Sequence, residues 1–218
     1  MSFELKDITE VVDKVKKNCE GRVFTQSIEL IVNLRDIDLR KPENRITGTL
    51  ELPNPPNKPV KVCLFATGEL YMKARDFKID LILDRDELVK LAGDKRQAKK
   101  IAKNYDVFLS EAALMPLVGR TWGVYLGPRG KMPMPVPPTL DVANAIERSK
   151  RIVNIRIRNQ PLIQLKVGTQ DMDTKRIAEN IQAALNWIIG KLPKGLTNIQ
   201  SLYIKGTMTS SFRLTIKR

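Results

Sequence analysis

The chain contains no histidine. That removes the side chain that most often carries acid–base catalysis at neutral pH and the commonest protein ligand of transition metals. Carboxylate, lysine and magnesium chemistry remain open. Cysteine is nearly absent: Cys19 and Cys63 are the only two in 218 residues. They are too few for a disulfide scaffold and lack zinc-knuckle spacing, so both read as small buried hydrophobes. No apolar run approaches the length of a membrane span. The opening stretch MSFELKDITEVVDKVKK carries charges where a secretory leader needs an apolar segment, so a cytoplasmic location is expected. Phosphate-binding glycine loops are missing too. GPRGK (127–131) has neither the spacing nor the hydroxyl of a Walker loop, and no Gly-x-Gly-x-x-Gly follows a strand-like segment. No cofactor and no metal are expected.

Positive charge is what the chain has in excess: 38 Lys and Arg against 24 Asp and Glu, a net +14. Such an imbalance suits a polyanionic partner, because each cation laid on a phosphate releases a condensed counterion. Nucleic acid fits first. A membrane surface comes second, with no basic amphipathic helix noted in its favour. The charge is uneven. Residues 1–57 hold 9 basic and 10 acidic residues, 58–151 hold 18 and 11, and 152–218 hold 11 and 3. The last third is nearly free of acid and is expected to meet the polyanion most directly.

Periodicity divides the chain. Leu5, Ile8, Val11, Val12 and Val15 recur at helical spacing, and Glu20-Gly21 can stop that helix. SIELIVNL (27–34) alternates as a half-buried strand, and RITGTLEL (45–52) reads as a second. LPNPPNKP (52–59) is a linker by its prolines. Beyond it, VKVCLFAT, KIDLILD and DVFLS are continuous apolar runs, the pattern of strands covered on both faces. Helical stretches separate them. Asp84 with Glu87, and Asp94 with Gln97, have capping-box spacing. SEAALMPLVGR reads as a helix that kinks or starts late at Met115-Pro116, and GPRGKMPMPVPP as a shaped, proline-rich loop before a helix near 139–150.

The last third alternates again. Val153, Ile155 and Ile157 share one face, with Asn154, Arg156 and Arg158 opposite; Ile163, Leu165 and Val167 turn inward in LIQLKVG. A helix from about Asp173 carries Ile177, Ile181, Leu185 and Ile188, with Gly190 as its stop, and IQSLYIK and FRLTIKR are closing strands joined by KGTMTSS. The two ends share one style and the middle has another. The expected fold is an α+β domain split between residues 1–57 and 152–218, with an antiparallel or mixed sheet and helices. A three-layer α/β, Rossmann-like domain is inserted at 58–151.

GRTWGVYLGPRGKMPMP (119–135) resembles the signature of the L-one family, the stalk proteins of the large ribosomal subunit, in its compact archaeal form. The likeness continues through FTQSIEL (24–30), IRNQPLIQLKVG (157–168) and TMTSS (207–211), in order and over nearly the full length. It implies a terminal domain interrupted by an insertion, which matches the division drawn from proline and periodicity. It also implies binding to the ribosomal RNA element of a mobile stalk beside the tRNA exit site, contact with exit-site tRNA, and repression of translation through a mimic in the protein's own messenger RNA. A monomer off the ribosome is expected.

Carried over from that family, Thr207 and Met208 are central to RNA binding, together with Phe24, Ser27, Glu29, Lys166, Gly168 and Thr169. Where the family has glycine after the methionine, this chain has Thr209; if that position needs a positive φ, threonine is strained there. The residue chemistry accounts for the hydroxyl-rich turn. A ribose 2′-OH both donates and accepts, and so does a serine or threonine hydroxyl such as Ser211, whereas lysine only donates. Arg156, Arg158, Lys166, Lys205 and Arg213 would supply field and phosphate contacts. Arg129 and Lys131 are secondary RNA candidates. Plainer readings stand beside these: a polar hairpin turn for TMTSS, core packing for Phe24 and Met208, and a solvated edge for the arginines. The rival functions are an RNA-directed modification enzyme using the central domain, and a basic chaperone that binds nucleic acid without preference.

Overall fold

The computed structural model describes residues 4–41, 44–57, 60–77, 79–137, 142–157 and 159–215. Two compact units form, Met1–Lys58 with Arg151–Arg218 and Pro59–Lys150. In chain order the elements are α1 (Leu5–Cys19), β1 (Ser27–Leu34), β2 (Thr47–Glu51), β3 (Val62–Phe65), α2 (Gly68–Asp76) and β4 (Leu81–Leu83). Then come α3 (Arg85–Gly93), α4 (Lys95–Asn104), β5 (Val107–Glu111), α5 (Met115–Thr121), α6 (Gly123–Leu126) and β6 (Met134–Val136). The chain finishes with α7 (Val142–Arg151), β7 (Ile152–Arg156), β8 (Leu162–Thr169), α8 (Thr174–Lys191), β9 (Ile199–Gly206) and β10 (Phe212–Leu214).

In the first unit a four-stranded antiparallel sheet has the order β10-β9-β1-β8. Strict alternation in β1 buries Ile28, Leu30, Val32 and Leu34. They share one core with Ile163, Leu165 and Val167 of β8, Leu202 and Ile204 of β9, Ile8, Val12 and Val15 of α1, and Ile177, Ile181, Leu185 and Ile188 of α8. β2 and β7 form a separate two-stranded ribbon. At Gly48 a Cβ would come within 2.7 Å of the Trp187 ring, so only glycine lets the indole lie there. Asn180 of α8 ties down the chain beyond β2: its Oδ1 accepts from Asn54 N (2.9 Å), and its Nδ2 donates to Asn54 O (2.9 Å) and Val167 O (2.8 Å).

α1 stops at Glu20 and Gly21 takes φ +84, as the sequence suggests. Gly190 does not end α8. The helix runs on to Lys191, and Leu192 is already extended (φ −82, ψ 135) because Pro193 follows it and disfavours the helical region for the residue before.

The second unit is built on a parallel sheet of order β4-β3-β5-β6. All four residues of β3 are buried because both faces are covered. Cys63, Phe65 and Phe108 pack with Leu88, Ala98, Ala102, Val118 and Trp122 from α3–α6. Val62, Leu64 and Leu109 pack with Leu70 and Ala74 of α2 and Ala145 of α7. Trp122, in the family-like signature, is fully buried and donates Nε1–H to Leu88 O at 3.0 Å, so this residue of the motif builds core. Asp84 and Glu87 form a reciprocal capping box; Asp94 accepts from Arg96 N and Gln97 N. A short 3-10 turn at Ala112–Leu114 precedes α5, which takes Pro116 in its first turn. One expectation fails. MPMPV is not all loop: Met134–Val136 forms β6 against β5. Pro135 is tolerated because β6 is an edge strand, with one side free of ladder bonds.

Candidate nucleic-acid interface

The ends of three strands meet at one edge of the first unit. Ser27, the first residue of β1, lies opposite Thr169, the last of β8, and Ile28 lies opposite both Gly168 and Gly206. A bulge between Ile28 and Glu29 then sets Glu29 opposite Lys166 on one side and Lys205 on the other. One acidic residue thus lies in register between two cations on adjacent strands.

The turn after β9 is clipped to the start of β1. Thr207 N donates to Ser27 O (3.0 Å), Ser27 N donates to Thr207 Oγ1 (3.2 Å), and that hydroxyl is also 3.2 Å from Ser27 O. Beneath lies Gln26, fully buried. Its Oε1 accepts from Met208 N (2.9 Å) while its Nε2 donates to Cys19 O (3.1 Å), joining the turn to the end of α1. Thr209 turns inward: its hydroxyl accepts from Gly206 N (2.8 Å) and hydrogen-bonds the Cys19 thiol. Burial pushes the Cys19 thiol pKa up, and the Thr209 contact offsets part of that rise. Gly206 leaves room for all of this, since a Cβ there would lie 2.5 Å from Cys19 Sγ and 2.9 Å from Thr209 Oγ1.

Thr209 is not strained. Among the described residues Asp36 is the only non-glycine with positive φ, so the turn accepts threonine with ordinary backbone and uses its hydroxyl as an internal tie. Phe24 is 46% exposed and Met208 60%, which excludes core packing for both. Ser211, at the end of the same connection, is exposed, and so is Arg213, which lies within β10 opposite Tyr203. Fully exposed Val23, beside Phe24, carries no signal in the sequence.

The remaining candidates are buried at this edge or lie away from it. Gly168 and Thr169 are buried. A Cβ on Gly168 would lie 3.1 Å from Ile177 Cγ1 and Met172 Sδ, so glycine there serves the packing of α8. The buried Thr169 hydroxyl has no hydrogen-bond partner among the described residues. Arg156 faces Thr47 on the β2–β7 ribbon, and the chain beyond it enters β8 at Leu162, opposite Asn33 at the other end of β1. Arg158 lies outside the described residues. Arg129 and Lys131 belong to the second unit. Arg129 is exposed and donates to Tyr125 O (2.7 Å), whereas Lys131 Nζ is engaged by Ala102 O (3.1 Å) and Tyr105 O (2.6 Å).

The assembled edge offers two exposed apolar side chains, hydroxyls and flanking cations, which suits a ribose–phosphate surface with packed bases or sugars. Residues 15–210 match the ribosomal protein L1p/L10e family. The large ribosomal subunit protein uL1 of Pyrococcus horikoshii is 44% identical over 215 residues, covering 98% of both chains. Its counterparts in Methanothermobacter thermautotrophicus and Thermofilum pendens are 43% identical (93% of this chain, 96% of the relative) and 47% identical (86% and 83%).

Proposed function

Because the chain belongs to the ribosomal protein L1p/L10e family, we propose that it docks on folded ribosomal RNA through the 24–29, 166–169 and 207–213 edge of its first unit. It is a protein of the large ribosomal subunit. On the finer reading it forms the mobile stalk beside the tRNA exit site in the cytoplasm, meets exit-site tRNA there, and represses its own messenger RNA through a mimic of the ribosomal site. The observation that carries the docking surface is the exposure of Phe24 and Met208 on either side of the Ser27–Thr207 clip. Two large apolar side chains held in water by an ordered turn suit a partner that covers them.

Met208 then packs on a base or sugar and excludes water from the hydroxyls beside it, which strengthens their hydrogen bonds. Thr207 holds the turn and keeps an outward lone pair, while Ser27 and Ser211 present hydroxyls that can donate and accept. Lys166, Lys205 and Arg213 add phosphate contacts.

The modification-enzyme reading has no support. In a parallel sheet a phosphate-bearing ligand is expected at the carboxyl ends of the strands, against a helix N-terminus. At the start of α2, Glu111 Oε2 already accepts from Thr67 N (3.0 Å) and Thr67 Oγ1 (2.8 Å). The chain's own carboxylate occupies the anion position.

Footprinting on large-subunit ribosomal RNA tests the proposal. The full chain should protect one folded element, and Met208→Ala should weaken that binding by about 2 kcal/mol with the melting point unchanged. Unchanged affinity with a lowered melting point would refute the docking surface.

A further inference from the structure

α4 holds Lys95, Arg96, Lys99, Lys100 and Lys103 within ten residues and no acidic residue. All five are exposed, and their charged groups make no hydrogen bond or ion pair among the described residues. A merely solvated helix face usually mixes signs at four-residue spacing, because opposite charges there stabilise the helix and like charges oppose it. α3 does mix them, with Arg85, Asp86, Glu87 and Lys90. α4 instead repeats positive charge at 95 and 99, 96 and 100, and 99 and 103. These pairs work against the helix, which is held by the burial of Ala98 and Ala102 and by the Asp94 cap.

The surface chemistry narrows the partner. α4 is basic and amphipathic, contrary to the sequence reading, but its apolar side is buried in its own unit and leaves nothing to enter a bilayer. It exposes no aromatic residue on which unpaired bases could stack, or that could anchor a protein interface. Cations spaced one helical turn apart suit a continuous phosphate backbone. We propose that the outer face of α4 is a second polyanion-binding surface, which takes the backbone of a double-helical RNA segment without reading its sequence. This surface lies on the other unit and does not depend on the docking edge proposed above.

The test uses the full chain with Lys95, Arg96, Lys99, Lys100 and Lys103 all changed to Gln. Fluorescence anisotropy across a salt series measures binding to a random-sequence RNA duplex. The wild type should bind with a steep salt slope. The variant should lose about 0.9 in that slope for each phosphate contact removed, and on the order of tenfold or more in affinity. Its melting point should hold or rise, since repulsion is relieved. Met208→Ala should leave duplex binding unchanged even as it weakens specific binding to the folded ribosomal element, so the two surfaces fail separately. An unchanged slope in the α4 variant overturns the proposal. So does wild-type binding to phosphatidylserine vesicles with none to the duplex.

Discussion

Replacing Gln26 with methionine should loosen the Thr207-Met208 turn without touching a charge. Methionine has nearly the length of glutamine and fills the same buried space, so little cavity forms. Two hydrogen bonds vanish: Met208 N loses Oε1 and Cys19 O loses Nε2. A buried polar group left unsatisfied costs about 1–3 kcal/mol. The Cys19 carbonyl bond is buried and the Met208 amide bond partly so, which puts the total at roughly 2–4 kcal/mol. For a unit of this size that lowers the melting point on the order of 10 °C. Calorimetry of the full chain reads this as a lower transition for the first unit alone. Affinity for the folded ribosomal RNA should fall about tenfold or more as Met208 loses its fixed direction. The salt slope should not move, because no phosphate contact is removed. A variant that melts within about 2 °C of wild type and binds RNA equally would refute the idea that Gln26 positions the turn.

Thr209→Gly should destabilise by about 1–2 kcal/mol, since the ties to Gly206 and Cys19 go and backbone freedom rises; denaturant titration checks this, and a stabilised variant contradicts it. Lys166→Ala should weaken RNA binding more than Arg129→Ala does, and the reverse order in a titration would move the main site to the second unit. Stability should be nearly flat from about pH 6 to 8, because there is no histidine to titrate. The Cys19 and Cys63 thiols and the Tyr105 phenol are all raised, mainly by burial. Groups raised on folding contribute fully below their unfolded values, so stability should decline above the ordinary thiol value of 9.0. Thermal melts across pH decide the point, and a step near pH 6–7 would be contrary to it.

The elements that the sequence showed clearly are those whose period and punctuation agree. α1 has a 3.6-residue stripe and a glycine stop, β1 has unbroken alternation, and α3 has its capping box. β6 was hidden because proline usually argues against a strand, and only its edge position excuses Pro135. The end of α8 was set by Pro193 rather than by Gly190. At the interface, residue type alone could not show whether Phe24 and Met208 face the core or water; that depends on turn geometry. Gln26 was legible and missed. The parity that buries Ile28, Leu30 and Val32, carried back two residues, puts Gln26 on the inward side, where a polar side chain must find partners. Lys131 reads as a secondary RNA candidate, and nothing local in the sequence reveals that its amine donates to the Ala102 and Tyr105 carbonyls at the end of α4.

β1 lies inside its sheet, yet both strands that flank it come from the last third of the chain. Leu34 precedes Leu162 by 128 residues, so at ordinary synthesis rates the strand waits roughly 6–26 s for its first neighbour. Every strand and helix needed to close the Pro59–Lys150 unit emerges during that interval, so this unit can mature on a nascent polypeptide whose opening strand is still exposed and prone to aggregate.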